Sequence, residues 1–334
     1  LTGIIFYLTD DIKSIIAYTL TRIPQKNVAK FGDKMSRAAF LRKTGTVASL
    51  LPFTGLMYGV VKSAYDFRVI RQQVLSPSLP DALHGLSIVQ ISDIHTGSFL
   101  NASALSPAVK LINDLSPDLI VFTGDLVNER SEEAIRFIDE LKHLESRFGV
   151  YSILGNHDYG DYYYRPGDEE GRRHNKQVMQ QVQEEMGWKL LLNSSEKLSM
   201  HGEELGLVGV ENWGKNARFQ KYGDLDKATD RANQELFNIL LSHDPSHWDR
   251  QVRNHSFHID LTLSGHTHGF QMGIEIPGYI KWSPSKYMYP QWAGLYHDGP
   301  KQLYVNRGLG FLGYPGRLGI LPEITYLELQ KTLS

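Results

Sequence analysis

Five times along this chain a short apolar run stops at a cluster of aspartate, asparagine or histidine. Leu86 to Ile91 leads to Asp93-Ile-His95, Leu119 to Phe122 to Gly124-Asp125, and Val150 to Leu154 to Gly155-Asn156-His157-Asp158. Phe237 to Leu241 leads to His243-Asp244-Pro245, and Ile259 to Leu263 to Gly265-His266-Thr267-His268. In an extended segment, side chains two residues apart share a face, so Asp93 and His95 can offer a carboxylate and an imidazole to one ion. Glycine ahead of the polar residue permits a sharp exit from a strand and a close approach of backbone to ligand. Each cluster by itself is weak: a lone Asn156 reads as a turn residue and a lone His243 as a surface or core histidine. Five in succession at the ends of strand-like runs describe a site where layered α/β folds build their chemistry. The chain has no cysteine, so thiolate sites and cysteine nucleophiles are excluded. Metals held by His, Asp and Asn would be harder or borderline ions such as manganese, iron or zinc.

Read together, Asp93-x-His95, Gly124-Asp125-x-x-Asn128, Gly155-Asn156-His157-Asp158, His243 and Gly265-His266-x-His268 closely resemble the signature of the calcineurin-like metallophosphoesterases, in order, over about Ser87 to Leu329. An anchor-like N-terminus before the motifs and Asn306-Arg307-Gly308-Leu309-Gly310 after them look most like the family's bacterial membrane-associated or exported branch. The resemblance implies an α/β fold, a four-layer α/β/β/α sandwich with its site on the loops at one edge. It also implies two divalent metal ions (Mn, Fe or Zn), one at Asp93, His95, Asp125 and His268, the other at Asp125, Asn156, His243 and His266. Asp125 would bridge them. Two carboxylates against two divalent ions leave positive charge for a hydroxide and a phosphate. The implied reaction is metal-hydroxide hydrolysis of a phosphodiester, phosphomonoester or pyrophosphate bond.

His157 follows a ligand directly and so turns away from it, which suits a general acid for the leaving oxygen or a cationic partner for phosphate. Asp158 is expected to orient His157 or an adjacent ligand, Asp244 to orient His243, and Asn128 to fix its loop. The sequence departs from the exported members at Phe270, where they commonly carry a second glycine before glutamine; a bulky ring there leaves the ligands in place and changes the shape offered to substrate. Phe270, Arg165 and Arg307 are the candidate substrate contacts. Arg165 stands beside Tyr159, Tyr162, Tyr163 and Tyr164, and Arg307 follows the aromatic-rich stretch after His268. Tyrosine, tryptophan and arginine together suit an amphiphilic substrate, a phosphate-ester or pyrophosphate-linked lipid or cell-envelope precursor.

The elements that must position these residues are eight strand-like runs. Besides the five above they are Leu205 to Val210, Gln302 to Val305 and Ile324 to Leu329, enough for a two-sheet core. Ser131 to Leu144 has the spacing of one amphipathic helix, with Ala134, Ile135, Ile138, Leu141 and Leu144 on its apolar face. Tyr159 to Asn193 and Gly269 to Leu321 read as loop elaborations. This divides the chain into an N-terminal helical anchor or docking segment, residues 1–80, and a catalytic domain, residues 83–334.

The N-terminal segment begins at Leu1 within an apolar stretch to Leu8 and without a methionine, as in a mature or truncated form. Arg22, Lys26, Lys30, Lys34, Arg37, Arg42 and Lys43, against Asp33 alone, precede Thr44 to Val61, which carries no charge. That order resembles a cytoplasmic flank followed by a membrane segment, although 18 residues with Pro52 inside is short for a span. It predicts membrane association at a bacterial inner membrane, with the catalytic domain on the non-cytoplasmic side. A formal net charge of −2 over 334 residues provides no field for nucleic acid. The loop carrying Arg165, Arg172, Arg173 and Lys176 is mixed with Asp161, Asp168, Glu169 and Glu170 and fits a nuclease poorly. A metal-stabilised binding protein without turnover is the alternative from another class, and the complete motif set speaks against it. The sequence points to no protein partner.

Overall fold

Strands covered on both faces must be apolar at almost every position, and alternate residues then sort to opposite sides. A computed structural model describes residues 36–216, 220–276 and 278–332. One sheet holds β1 (Arg68–Ser76), β2 (Ser87–Ile91), β3 (Leu119–Phe122), β4 (Val150–Ser152), β5 (Trp188–Leu190) and β14 (Glu323–Lys331), in the order β1-β14-β2-β3-β4-β5. The second holds β6 (Ser194–Met200), β7 (Glu203–Gly209), β8 (Phe237–Leu241), β9 (Leu261–Ser264), β12 (Gly294–Asp298) and β13 (Lys301–Val305), in the order β12-β13-β9-β8-β7-β6. A hairpin of β10 (Ile274–Ile276) and β11 (Ile280–Trp282) stands apart from both. All eight expected strands are present.

The layers follow from the alternation. Ile88, Leu119 and Val121 pack against Leu207, Ile239, Leu241, Leu261 and Leu263 between the sheets. Val89, Ile91, Ile120 and Phe122 face outward onto the helices α2 (Ser106–Asp114), α3 (Glu132–Ile135), α4 (Ile138–Leu141) and α5 (Glu169–Glu185). Val208, Leu240, Leu303 and Val305 face the other way, onto α6 (Leu225–Thr229) and α7 (Ser246–Arg250). This is the α/β/β/α sandwich. Within it β2, β3, β4 and β5 run parallel, as do β7, β8, β9 and β13, so their C-terminal ends gather at one edge of each sheet.

Three local expectations change. The single helix over 131–144 is two one-turn helices, α3 and α4, because Phe137 between them turns fully into the core while Ile135 is left exposed. Residues 159–193 contain the 17-residue helix α5, whose N-cap Asp168 accepts from Gly171 N with Glu169 and Glu170 in the first turn. Its buried positions, Asn175, Met179, Val182 and Gln183, are half polar, which hid the apolar stripe. Residues 68–76, read as part of the N-terminal segment, form the edge strand β1, parallel to β14, so the sheet begins before residue 83. An edge strand with one half-exposed face shows little hydrophobic contrast.

The described residues form two compact units, one ending at Pro52 and one starting at Phe53. The helix α1 (Arg37–Val61) runs across that boundary and continues through Pro52. Among the described residues it is the one helix long and apolar enough to cross a membrane. At about 1.5 Å per residue its 25 residues extend beyond the ~30 Å hydrocarbon thickness that the 18 uncharged residues alone fall short of. The stretch Leu1 to Leu8 and the basic residues Arg22, Lys26, Lys30 and Lys34 lie outside the described residues.

Candidate metal centre

The loops that leave the strands are stitched to one another by backbone hydrogen bonds. Asp93 N donates to Gly124 O (2.8 Å), His95 N to Asp125 O (3.1 Å), and Gly265 N to His243 O (2.9 Å). His266 N donates to both carboxylate oxygens of Asp93, at 3.1 and 3.0 Å, and so ties the two sheets together. Gly155 has to be glycine: a Cβ there would press into the backbone nitrogen and carboxylate of Asp125. Asp93, His95, Asp125, His266 and His268 all have φ between 50° and 70°. Left-handed backbone costs non-glycine residues about 1 to 3 kcal/mol each and gathers where function requires a fixed geometry.

Two groups of donors converge there. Asp93, His95 and His268 form one, Asp125, His243 and His266 the other, and within each the ligand atoms lie within 4.8 Å of one another. His95 Nε2 is 3.0 Å from His268 Nε2, and His268 Nε2 is 3.2 Å from Asp93 Oδ1. His266 Nδ1 is 3.2 Å from His243 Nε2. Asp125 Oδ2 faces both groups, 3.1 Å from His243 Nε2 and 3.7 Å from His95 Nε2. The distal nitrogens set the tautomers: His95 Nδ1 lies 3.1 Å from Val127 O and His243 Nδ1 lies 2.7 Å from Thr123 O. With those Nδ1–H groups given to carbonyls, both Nε2 atoms aim into the centre. Asn156 spends its amide N–H on Tyr162 Oη (2.8 Å), while its buried Oδ1 has no hydrogen-bond partner. Facing ligand atoms and an orphaned carbonyl oxygen are what a pair of cations would satisfy.

Burial alone would raise both carboxyl pKa values, yet both are lowered, by the imidazole of His268 beside Asp93 and of His243 beside Asp125. Burial would likewise depress His243, but the Asp125 carboxylate prevails and raises it to about 10. His95 goes the other way, down to about 3, through burial and the charge of His268. Burial also lowers His266.

His157 stands at the rim, its ring 5.0 Å from that of His95 and tilted against Tyr162 at 4.4 Å. Its backbone N–H donates to Asp125 Oδ1 (2.9 Å) and its ring Nδ1 lies 2.5 Å from Asn128 O. Asp158 holds the loop of a neighbouring ligand, Asp125, through its backbone: its carboxylate accepts from Asp125 N, Leu126 N, Val127 N and Gly155 N. Burial and the nearby Asp125 push it up to about 7 against those donors. Asp244 sits beside His266 (3.6 Å) and accepts from Ser246 N (2.7 Å). Asn128 links Ser98 and Glu133, as a loop residue should.

Of the expected substrate contacts, Phe270 is half-exposed on left-handed backbone next to His268, and Arg165 is exposed. Arg307 is buried and its guanidinium is ion-paired with Glu323 and, at 2.6 Å, with Glu275. Two further residues stand beside His266. Tyr289 Oη lies 2.8 Å from His266 Nε2, and the Lys215 ammonium lies 5.1 Å over the Tyr289 ring. Together with Thr267 and Met288 they line a cleft of about 630 Å³ that opens at His266. Lys215 follows β7, a sixth parallel strand end that the search for Asp and His clusters passes over.

A family model described as calcineurin-like phosphoesterase matches residues 86–270. The chain belongs to the calcineurin-like phosphoesterase family. As a member it is a metal-dependent phosphoric ester hydrolase. It is 31% identical to the uncharacterized metallophosphoesterase YkuE of Bacillus subtilis, over 90% of this chain and 99% of that protein. A transmembrane protein with metallophosphoesterase domain from Danio rerio is 30% identical over 82% of the chain, which spans 60% of that protein's length. The UDP-2,3-diacylglucosamine pyrophosphatase LpxG of Chlamydia muridarum is 29% identical over 68% of this chain and 79% of its own.

Asp125→Asn should lower the content of both ions together, because Oδ2 faces both donor groups; Asp93→Asn should lower one. Elemental analysis of the purified variants checks this, and loss of a single ion in Asp125→Asn would contradict a shared ligand. Because the metal-free chain keeps a proton on His243 up to about pH 10, an ion taking that nitrogen must expel it. Apparent Mn²⁺ affinity should therefore rise by about tenfold per pH unit between roughly pH 7 and pH 9. Titration calorimetry in two buffers of different ionisation enthalpy reads the released proton directly, and a flat pH profile would contradict it.

Proposed function

We propose that the protein hydrolyses a phosphodiester or pyrophosphate bond in an amphiphilic, lipid-linked substrate at a membrane surface. The observation that carries the hydrolytic part is the pair of donor groups around Asp125, with the Oδ1 of Asn156 lacking any protein partner. In this reading Asp93, His95, Asp125 and His268 hold one divalent ion and Asp125, Asn156, His243 and His266 the other. Such ions, of manganese, iron or zinc, supply Lewis-acid polarisation of phosphoryl oxygens and a nucleophilic water at neutral pH.

The chain's own groups do the rest. His157 gives its Nδ1–H to Asn128 O, which leaves Nε2 to carry a proton to the leaving oxygen. Tyr162 packs tilted against that ring and accepts from the amide of Asn156, so one phenol orients both. In the cleft beside His266, Tyr289 and Lys215 offer a hydroxyl and an ammonium to a second phosphate or a headgroup. The lipid part rests on α1 and on exposed apolar side chains beside the centre, Phe270 and Met288. The named substrate class of the Chlamydia muridarum relative agrees with it. Residues up to Val61 form the anchor in this reading. Arg37, Arg42 and Lys43 would lie on the cytoplasmic side and the catalytic unit on the other.

Chelation should abolish phosphoesterase activity and Mn²⁺ should restore it. His157→Ala should lower kcat by about 10² to 10⁴ on esters with poor leaving groups, and much less on an activated aryl ester whose leaving group needs no proton. Equal losses on both, read by steady-state kinetics with metal content unchanged, would assign His157 to phosphate positioning instead. Among esters sharing one headgroup, kcat/KM should climb with acyl chain length, and Phe270→Ala should flatten that climb. Indifference to chain length, with a preference for soluble nucleotides, would overturn the lipid assignment.

A further inference from the structure

The hairpin of β10 and β11 is built inside out. Its register pairs Ile274 with Trp282, Glu275 with Lys281 and Ile276 with Ile280. Alternation therefore puts Ile274, Ile276, Ile280 and Trp282 on one face and Glu275 and Lys281 on the other. Both strands are exposed along their length, but the contacts to the protein come from the charged residues: Glu275 pairs with Arg307 at 2.6 Å, and Lys281 Nζ donates to Ala293 O at 2.6 Å, over the Trp292 ring. The apolar face is left to solvent. Ile274, Ile276 and Ile280 are each about half-exposed, at 51%, 48% and 47%, and Tyr279 at the tip is 88% exposed. A sheet that faced water would be arranged the other way round, and an open apolar edge of this kind is a liability unless something covers it.

We propose that this hairpin is a bilayer-docking element, with its isoleucines, Trp282 and Tyr279 set into the headgroup and acyl boundary of a lipid surface. The inference rests on the anchor reading of α1 given above. What selects a bilayer as the occupant is the root of the hairpin. Gly273 N donates to Leu318 O (2.9 Å) and Leu318 N to Gln271 O (2.8 Å), so the hairpin leaves the loop formed by residues 314–319. The last turn of α1 ends on that same loop: Arg317 N donates to Gly59 O (3.2 Å), Tyr314 Oη to Leu56 O, and a Cβ on Gly59 would strike Arg317 O. A helix that leaves a membrane before these last turns thus holds the hairpin's root at the membrane surface. Tyrosine and tryptophan are the residues that such a boundary favours, and isoleucine suits the hydrocarbon beneath it.

The loop is also fixed to the centre. The fully buried Arg317 guanidinium donates to the carbonyls of Arg307, Gly308 and Gly310, and Gly310 N donates to Asp93 O (2.8 Å). Docking the hairpin therefore sets the height of the candidate metal centre above the lipid.

The absence of native cysteine makes the test direct. Full-length Tyr279→Cys, labelled with an environment-sensitive fluorophore, is reconstituted in phosphatidylcholine and phosphatidylglycerol vesicles, beside Val47→Cys in α1 and Lys110→Cys on α2. The label at 279 should shift to the blue, lose most of its quenching by aqueous iodide and be quenched by lipids spin-labelled near the headgroup; that at 110 should do none of these. Iodide quenching at 279 that persists while the label at 47 is lipid-quenched would overturn the docking hairpin and leave the anchor standing. Failure at both positions would overturn the anchor as well. Protection at 279 that depends on protein density and not on lipid quencher would assign the face to a second copy and overturn the proposal. Ile276→Asp with Ile280→Asp should reduce turnover of vesicle-embedded substrate several-fold with turnover of a soluble aryl ester unchanged. Equal turnover of vesicle substrate by this variant and the parent chain would also overturn it.

Discussion

One buried carboxylate sets the terms for the rest of the molecule. Asp125 Oδ2 faces a histidine from each sheet edge, and its Oδ1 takes the backbone N–H of His157. A carboxylate wholly out of water is tolerable only when its charge is answered, and here imidazoles from both sides answer it. The two sheets can close on each other at this edge because that charge is shared between them. His266 N on Asp93 makes a second such tie, again with a carboxylate from one sheet and a donor from the other.

Holding so many ligands at one point needs backbone that ordinary strands and turns do not provide. Five donor residues adopt left-handed φ, and the surrounding hydrogen bonds over-determine them. Asp158 has the largest share in this. Its carboxylate collects four backbone N–H groups from the loops after β3 and β4, so the turn that carries Asp125 and the turn that carries Asn156 are held as one piece. A side chain that touches no substrate can in this way govern the spacing of those that do.

A second chain of contacts runs outward from the centre. Asp93 is bonded to Gly310, Gly310 to the guanidinium of Arg317, and Arg317 through its own backbone to the end of α1. Arg307 belongs to this scaffold, spanning Glu323 in the core and Glu275 on the hairpin. Buried arginines bound to carbonyls and carboxylates make a stiff connection, since breaking any member strands a charge or a polar group away from water. The candidate metal centre and the root of the hairpin are thus joined through Arg317 and Gly310.

Strand positions and the residues at their ends were legible in the sequence because both are local. A strand buried on two faces must be apolar throughout, as β2, β3, β8 and β9 are, and the ligand types directly follow those runs. Family membership could be read for the same reason, since the motif order is a property of the chain alone. Long-range partnership decided the remainder. Arg307 looks like a phosphate ligand in sequence, and only folding brings Glu323 and Glu275 to it. Asp158 looks like an orienting partner for His157, and only the approach of two loops turns it to four backbone donors. The β10 and β11 segment reads as one more aromatic loop until its register shows which face meets the protein and which is left outside. In the same way, Tyr289 and Lys215, from loops far apart in the chain, become neighbours at His266 because packing places them there.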